Sequence, residues 1–321
     1  MGHKHRDHSY PPAPEPLPAP VYDNHTHTEP WLEDAILTPA REAAAAAARD
    51  ANGDADAIAG NADRTDFPGT DVENAPADWV EQLDRAQAVG VAGIVQAGTT
   101  MASSQWAAEH AAQDRRMLAG VAIHPNEVPA YVDAGVLDDA LVALDRLAAE
   151  DRVRVVGETG LDFHYTEPER FADQIGSFER HIELAKSHGL AMQIHDRDAH
   201  REVVETLLRV GAPERTVFHC FSGDAELAEI CAEHGWYASF SGTVTFKNAE
   251  NLRDGLRRMP RDHILVETDA PYLTPMPYRG RPNAPYLLPN TLRFMAETLE
   301  TPVAELAEQI AATTVRVYGE W

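Results

Sequence analysis

Eight short apolar runs recur along the chain, each followed by a stretch with helical periodicity. They cover residues 21–23, 92–96, 117–123, 153–156, 191–194, 216–218, 236–240 and 264–266. Between them lie helical patterns over 78–89, 103–114, 137–150, 173–188, 199–210, 224–234 and 249–258, with 292–299 and 303–315 closing the chain. In 173–188, for example, Ile175, Phe178, Ile182 and Ala185 recur at spacings of three and four, which sets them on one helix face. Strands joined through helices pair in parallel, and parallel sheets bury both faces. Eight such units predict a closed (β/α)8 TIM barrel over 21–321, with the open doubly wound sheet as the alternative. A length of 321 residues suits one large barrel.

Two segments break the rhythm. Residues 1–20 carry His3, His5 and His8 and then a run of prolines, a composition that predicts a disordered, extended tail. Residues 29–77 stand where a short connection would suffice, and hold eleven acids against three arginines. This stretch reads as an insertion after the first strand, helical over 41–50 and loop-like over 52–77, expected to narrow access to the barrel mouth.

Composition removes several function classes. The formal charge is −25, which disfavours general adhesion to nucleic acid or anionic lipid but leaves a local cleft open. No apolar run reaches membrane-spanning length, so no membrane association is expected. Two cysteines, Cys220 and Cys231, make no disulfide framework, and a cytoplasmic setting is expected. Neither a Walker nor a dinucleotide signature occurs.

The chemistry sits where the strands end. Polar residues there include Asp23, His25 and His27 after the first strand, and His124 after the third. Glu158 follows the fourth strand, His195 the fifth, His219 the sixth and Asp269 the eighth. In a barrel all these ends meet at one mouth, where active sites form. His25 and His27 are two apart in an extended segment and project together. Imidazoles mixed with carboxylates suit zinc, manganese, iron or nickel and suit calcium poorly. The donors exceed the four of a tetrahedral zinc, which favours two cations sharing a carboxylate. Such a pair polarises a phosphoryl or carbonyl oxygen and lowers the pKa of water towards ~7, making water the nucleophile.

The motifs that flank these residues resemble the TatD family of metal-dependent deoxyribonucleases, among the amidohydrolase-like barrels. They are Asp23–His27, Ile123-His124-Pro125, GETGLDFHY from Gly157, IHDRDA from Ile194, HCFSG from His219, TFKN from Thr245, ETDAPYLTP from Glu267 and RGRPNAP from Arg279. The resemblance implies that His25, His27 and Asp269 hold one divalent ion, that His195 and His219 hold another, and that Glu158 bridges. Zinc, manganese or magnesium would serve. It further implies Glu158 and Asp269 as catalytic groups, Asp269 as general base, and Asp23 as a carboxylate that orients an imidazole ring. The expected substrate is a phosphodiester of DNA, with no obligate protein partner. Thr28 stands where the family commonly has leucine.

His124, Arg197, Lys247, Arg279 and Arg281 fall at strand ends or rim loops and are expected to contact substrate phosphate. His164 and Tyr165 are placed at the mouth or in loop packing. His110, His181, His188, His200 and His234 fall in helices and read as surface or packing residues. Cys220 reads as a small apolar residue facing away from the ligands. The acidic insertion motivates an alternative substrate, an ester or amide of a small molecule or an aminoacyl-tRNA. A metal-binding scaffold without turnover is the second alternative.

Overall fold

A computed structural model describes residues 7–38 and 72–321. Residues 1–6 with His3 and His5, and most of the insertion, including 41–50 and 52–71, lie outside the described residues. The eight strands are β1 (Val21–Thr26), β2 (Val91–Gln96), β3 (Met117–Val121), β4 (Val153–Asp162), β5 (Ala191–Arg197), β6 (Thr216–Phe218), β7 (Tyr237–Phe240) and β8 (Ile264–Val266). Each pairs in parallel with the next, in sequence order. Bonds between the first and last strand segments close the ring. Asp269 N donates to His25 O at 3.0 Å, His27 N to Ala270 O at 2.7 Å, and Asn24 Nδ2 to Val266 O at 2.8 Å. The fold is the (β/α)8 barrel that the alternation predicts.

Among the described residues, the helices are α1 (Trp79–Ala88), α2 (Met101–Ala111), α3 (Val128–Asp133), α4 (Leu137–Leu147), α5 (Phe171–His188), α6 (His200–Val210), α7 (Ala225–His234), α8 (Glu250–Arg258), α9 (Leu288–Thr298) and α10 (Val303–Tyr318). Asp78 caps α1 by accepting from Glu81 N, and Asp224 caps α7 by accepting from Glu226 N and Leu227 N. Phe178, Ile182 and Ala185 of α5 are buried, as their spacing predicts. The main core lies between sheet and helices. A second layer fills the barrel, with Val95, Leu118, Val155, Ala191, Val217, Tyr237 and Leu265 contributed one per strand from β2 to β8. Val317 and Tyr318 of α10 join that layer.

Sequence and structure part at three places. Helix α3 has six residues, too few for a periodic signal. Strand β4 runs on past its apolar stretch to Asp162. Gly160, with φ 142°, allows this, because a Cβ there would lie 2.1 Å from His195 O on the adjoining strand. The N-terminal segment departs most. From Tyr10 to Ala19 it packs on the barrel rather than hanging free, with Tyr10, Leu17 and Ala19 buried. Leu17 N donates to Val89 O at 2.9 Å, Tyr286 Oη to Pro11 O at 2.5 Å, and Arg293 Nη2 to Glu15 O at 2.7 Å. Proline fixes φ and thereby lowers the entropy lost when the segment is laid down, which composition alone does not reveal. Among the described residues, no helix is long and apolar enough to cross a membrane.

Candidate metal centre

Strand ends set every donor around one carboxylate. Glu158 Oε1 lies 2.7 Å from His195 Nδ1, 2.9 Å from His219 Nε2 and 3.3 Å from His124 Nε2. Its second oxygen, Oε2, lies 3.4 Å from His25 Nε2 and 3.6 Å from His27 Nε2. Asp269 Oδ1 stands 3.9 Å and 3.8 Å from the same two nitrogens, which are themselves 3.2 Å apart. Glu158 thus presents one oxygen to each half of the cluster. Among the described residues, three groups bring ligand atoms close enough to hold an ion: His25–His27–Asp269, His25–Glu158–His219 and His124–Glu158–His195.

The outward nitrogens explain the orientation of the inner ones. His25 Nδ1 donates to Gln193 Oε1 at 2.8 Å, and His27 Nδ1 to Ala97 O at 3.1 Å. His219 Nδ1 donates to Glu267 Oε1 at 3.2 Å, and His195 Nε2 to Asp162 Oδ2 at 3.0 Å. Each ring therefore turns its other nitrogen inward as a lone pair, toward carboxylate oxygens or another lone pair. Converging acceptors repel unless positive charge lies between them. Protons supply that charge where no cation does. Burial opposes charge on His27 and His195, yet contact with Glu158, with Glu29 and Asp269 helping at His27 and Asp162 at His195, raises both to about 9. His219 is raised too, by Glu158 and Glu267 against burial. Burial likewise disfavours ionised Glu158, but His219 and His124 hold its carboxyl well below the usual range. Asp269 moves the other way, lifted by burial and by the Glu158 charge. The donor set and its charge fit divalent ions.

Backbone geometry is unusual at several of these strand ends. Asp269 has φ 54° and Cys220 φ 41°, in the left-handed region that non-glycine residues seldom occupy. Such outliers cluster at functional sites. Asp269 keeps its backbone paired through the bond to His25 O. Cys220 Sγ lies 3.3 Å from Ser241 Oγ, and burial with nearby Asp269 and Glu267 raises its pKa, so the residue stays a thiol.

The remaining sequence candidates divide. His124 sits within the cluster, 3.2 Å from His195 Nδ1, rather than beside it. Arg197 lies over the Tyr165 ring at 4.6 Å and Arg279 over Phe246 at 4.2 Å, while Lys247 is exposed. Arg281 departs from the expectation of a phosphate contact. Its guanidinium donates to Ser9 O, Ser9 Oγ and Tyr10 O, and pairs with Asp7 at 3.0 Å, holding the N-terminal segment. Asp23 departs as well, since it orients no imidazole ring. It accepts from Thr268 N at 2.9 Å, from Thr268 Oγ1 at 2.5 Å and from His25 N at 3.3 Å, joining β1 to the β8 end. Burial pushes its carboxyl up to about 8. Gln193, Asp162 and Glu267 orient the rings instead, and the sequence reading did not single them out. Their signal was closeness in sequence: each stands two or four residues from a strand-end donor.

An eight-stranded barrel thus gathers histidines around a shared carboxylate at its C-terminal mouth, where barrel active sites form. Comparison with known proteins then supplies the family. The family model described as TatD related DNase matches residues 69–319, and the chain belongs to this family. The matched span begins inside the insertion, after β1 with His25 and His27. A protein of Mycobacterium tuberculosis named "Uncharacterized metal-dependent hydrolase TatD" is 42% identical over 250 residues, covering 76% of this chain and 92% of that protein. YabD of Bacillus subtilis, also named a metal-dependent hydrolase, is 34% identical over 244 residues, covering 75% and 92%. The crystal structure of YjjV, a TatD homologue of Escherichia coli, superposes with a TM-score of 0.69 at 26% identity, covering 74% and 90%.

Proposed function

We propose that this chain is a divalent-metal-dependent phosphodiesterase acting on DNA. The carrying observation is the convergence of four imidazoles on the two oxygens of Glu158, each ring fixed by an acceptor on its far side. In this reading His25, His27 and Asp269 would hold one ion, His195 and His219 the other, and Glu158 both. His124, 3.3 Å from Glu158 Oε1, would assist the second group or meet the substrate phosphate. Bound divalent ions would polarise the phosphoryl group and ease deprotonation of water near neutral pH.

The chain's own groups do the rest. Asp269, with its carboxyl raised by burial, takes the proton of the attacking water. Glu158, kept ionised by the surrounding rings, holds the two halves of the site in register. Gln193, Ala97 O, Asp162 and Glu267 fix ring orientation, so little reorganisation is needed when charge develops. The purified protein, loaded with manganese, magnesium or zinc, should shorten labelled single-stranded DNA, and EDTA should stop it. No cleavage under any of these ions would overturn the reading.

The charge of −25 supports a second reading, since an acidic molecule repels a polyanion. The same site could open a carboxylic ester or amide of a small molecule, which this charge favours, or an aminoacyl ester on tRNA, which it does not. Turnover of lactone or aminoacyl substrates with none on DNA selects it.

A further inference from the structure

His124 differs from the four rings that meet Glu158 beside it. Their outward nitrogens donate, whereas the outward Nδ1 of His124 accepts, from Asn126 N at 3.1 Å. A backbone N–H can only donate, so this nitrogen carries no proton and the ring's N–H is at Nε2. That N–H faces the cluster, with Nε2 3.3 Å from Glu158 Oε1 and 3.2 Å from His195 Nδ1. His195 is also protonated at Nε2, but there Nε2 points outward to Asp162 Oδ2 at 3.0 Å and Nδ1 points in. The two neighbouring imidazoles are thus turned opposite ways. His124 shows the site an N–H and His195 shows it a lone pair.

One residue serves both rings. Besides its backbone bond to His124, Asn126 donates from Nδ2 at 3.0 Å to Asp162 Oδ2, the oxygen that holds His195. The amide is kept in this direction by a chain anchored in the backbone. Gln174 of α5 is wholly buried; its Oε1 accepts from Asp162 N at 2.9 Å and its Nε2 donates to Pro125 O at 3.1 Å. Nε2 is therefore the donor to Thr166 Oγ1 at 2.7 Å, and the hydroxyl passes its own proton toward Asn126 Oδ1 at 3.1 Å. Asn126 Nδ2 is left facing Asp162, whose Oδ1 accepts from His164 N and Tyr165 N at 3.0 and 2.9 Å. Held at both ends of its side chain, Asn126 keeps its own N–H aimed at His124 Nδ1.

Resting on the phosphodiesterase reading, we propose that Asn126 is a positioning residue that makes His124 a hydrogen-bond donor to the substrate phosphoryl oxygen and keeps its neighbour His195 a ligand. An N–H cannot ligate a cation, so His124 takes no ion although it stands among the donors. Its ring is part exposed at the mouth, where substrate can reach it. A fixed donor there meets the negative charge that grows on the phosphoryl oxygen as water attacks.

The first test needs no turnover. In the zinc-loaded protein with isotope-labelled histidine nitrogens, NMR should show His124 with a protonated Nε2 and a bare Nδ1, its signals assigned by their loss in His124→Gln. A proton on Nδ1, or zinc on either nitrogen of this ring, overturns the proposal. Asn126→Ala should give His124 a mixture of both tautomers and lower kcat on DNA by roughly 10-fold or more. Thr166→Val, which frees the Asn126 amide, tests the same link should Asn126→Ala fail to fold. An unchanged His124 tautomer in the folded variant overturns the positioning role. His124→Ala should keep the parent's zinc content and KM and lose about 100-fold in kcat, and His124→Gln, whose amide N–H reaches the place of Nε2, should recover most of that loss. Zinc lost from His124→Ala would make the ring a ligand and overturn the proposal. No cleavage of DNA by the parent overturns the phosphodiesterase reading and the donation to phosphate with it, while the spectrum and the zinc content still decide where the protons lie.

Discussion

His195 and Glu158 meet at 2.7 Å across the barrel mouth, from strands β5 and β4, while the far nitrogen of the same ring is held by Asp162 at 3.0 Å. The ring is clamped between two carboxylates. With Asp162 taking the one N–H, the nitrogen facing Glu158 holds a second proton or a cation, and exchange between them requires no movement of the ring.

This makes Glu158 the residue whose charge both halves of the site share. Glu158→Gln preserves shape and removes the charge, so bound metal should fall from the parent's stoichiometry to a small fraction. Hydrolysis should fall by about 100-fold or more, as for loss of a group in direct contact with the reacting centre. Elemental analysis and a cleavage assay read both. Full metal content in the variant would show that Glu158 does not join the two sets of donors.

The residues behind the rings should act through them. Gln193→Ala, Asp162→Asn and Glu267→Gln each weaken the acceptor that sets a ring's tautomer, and each should lower metal affinity by roughly 10- to 100-fold. Titration calorimetry on the apo protein measures this. Glu267 is entirely buried and its Oε1 also accepts from Cys220 N at 2.7 Å, so Glu267→Gln should in addition lower stability. Unchanged affinity in all three would mean that the rings are positioned by packing alone.

Much of this site was legible in the chain before its fold was known. Alternation of apolar runs and helical patterns gave the eight strands, and the polar residues that follow six of those runs gave the ligand candidates. His25 and His27 declared themselves by spacing. Three things were not legible. Ala97 O, which orients His27, is backbone and leaves no mark on residue type. Gln193 and Glu267 occupy inward positions within or beside apolar runs, where a buried polar residue reads as filler until its partner from another strand is known. The binding of the N-terminal segment depends on Arg281, nearly the whole chain away, and a proline-rich composition gave no hint of it.

That segment supplies the next expectation. A chain beginning at Pro20 loses the buried Tyr10, Leu17 and Ala19 and the acceptors of Arg281 and Arg293. Stability should fall by about 2–4 kcal/mol, seen as a lower Tm by calorimetry. Arg281→Ala should share part of that loss while leaving kcat/KM on DNA within about threefold. A large fall in kcat/KM at unchanged Tm would return Arg281 to the substrate.

The last expectation concerns a histidine outside the cluster. His181 of α5 is fully buried, donates from Nδ1 to Ser177 O at 2.8 Å, and accepts at Nε2 from Ile123 N at 3.1 Å, one residue before His124. Burial lowers its pKa to about 4, from an unfolded value near 6.5. Below about pH 6.5 the unfolded chain therefore takes up a proton that the folded chain refuses. The contribution to stability is whole above that pH and declines as pH falls toward 4, by on the order of 3 kcal/mol in all. His181→Gln keeps an acceptor for Ile123 N and cannot titrate. Chemical denaturation of parent and variant from pH 7 to 4 should show the variant's stability falling less steeply, by about that difference. Parallel curves would mean that His181 is protonated in the folded protein, and that the strand end carrying His124 is held in some other way.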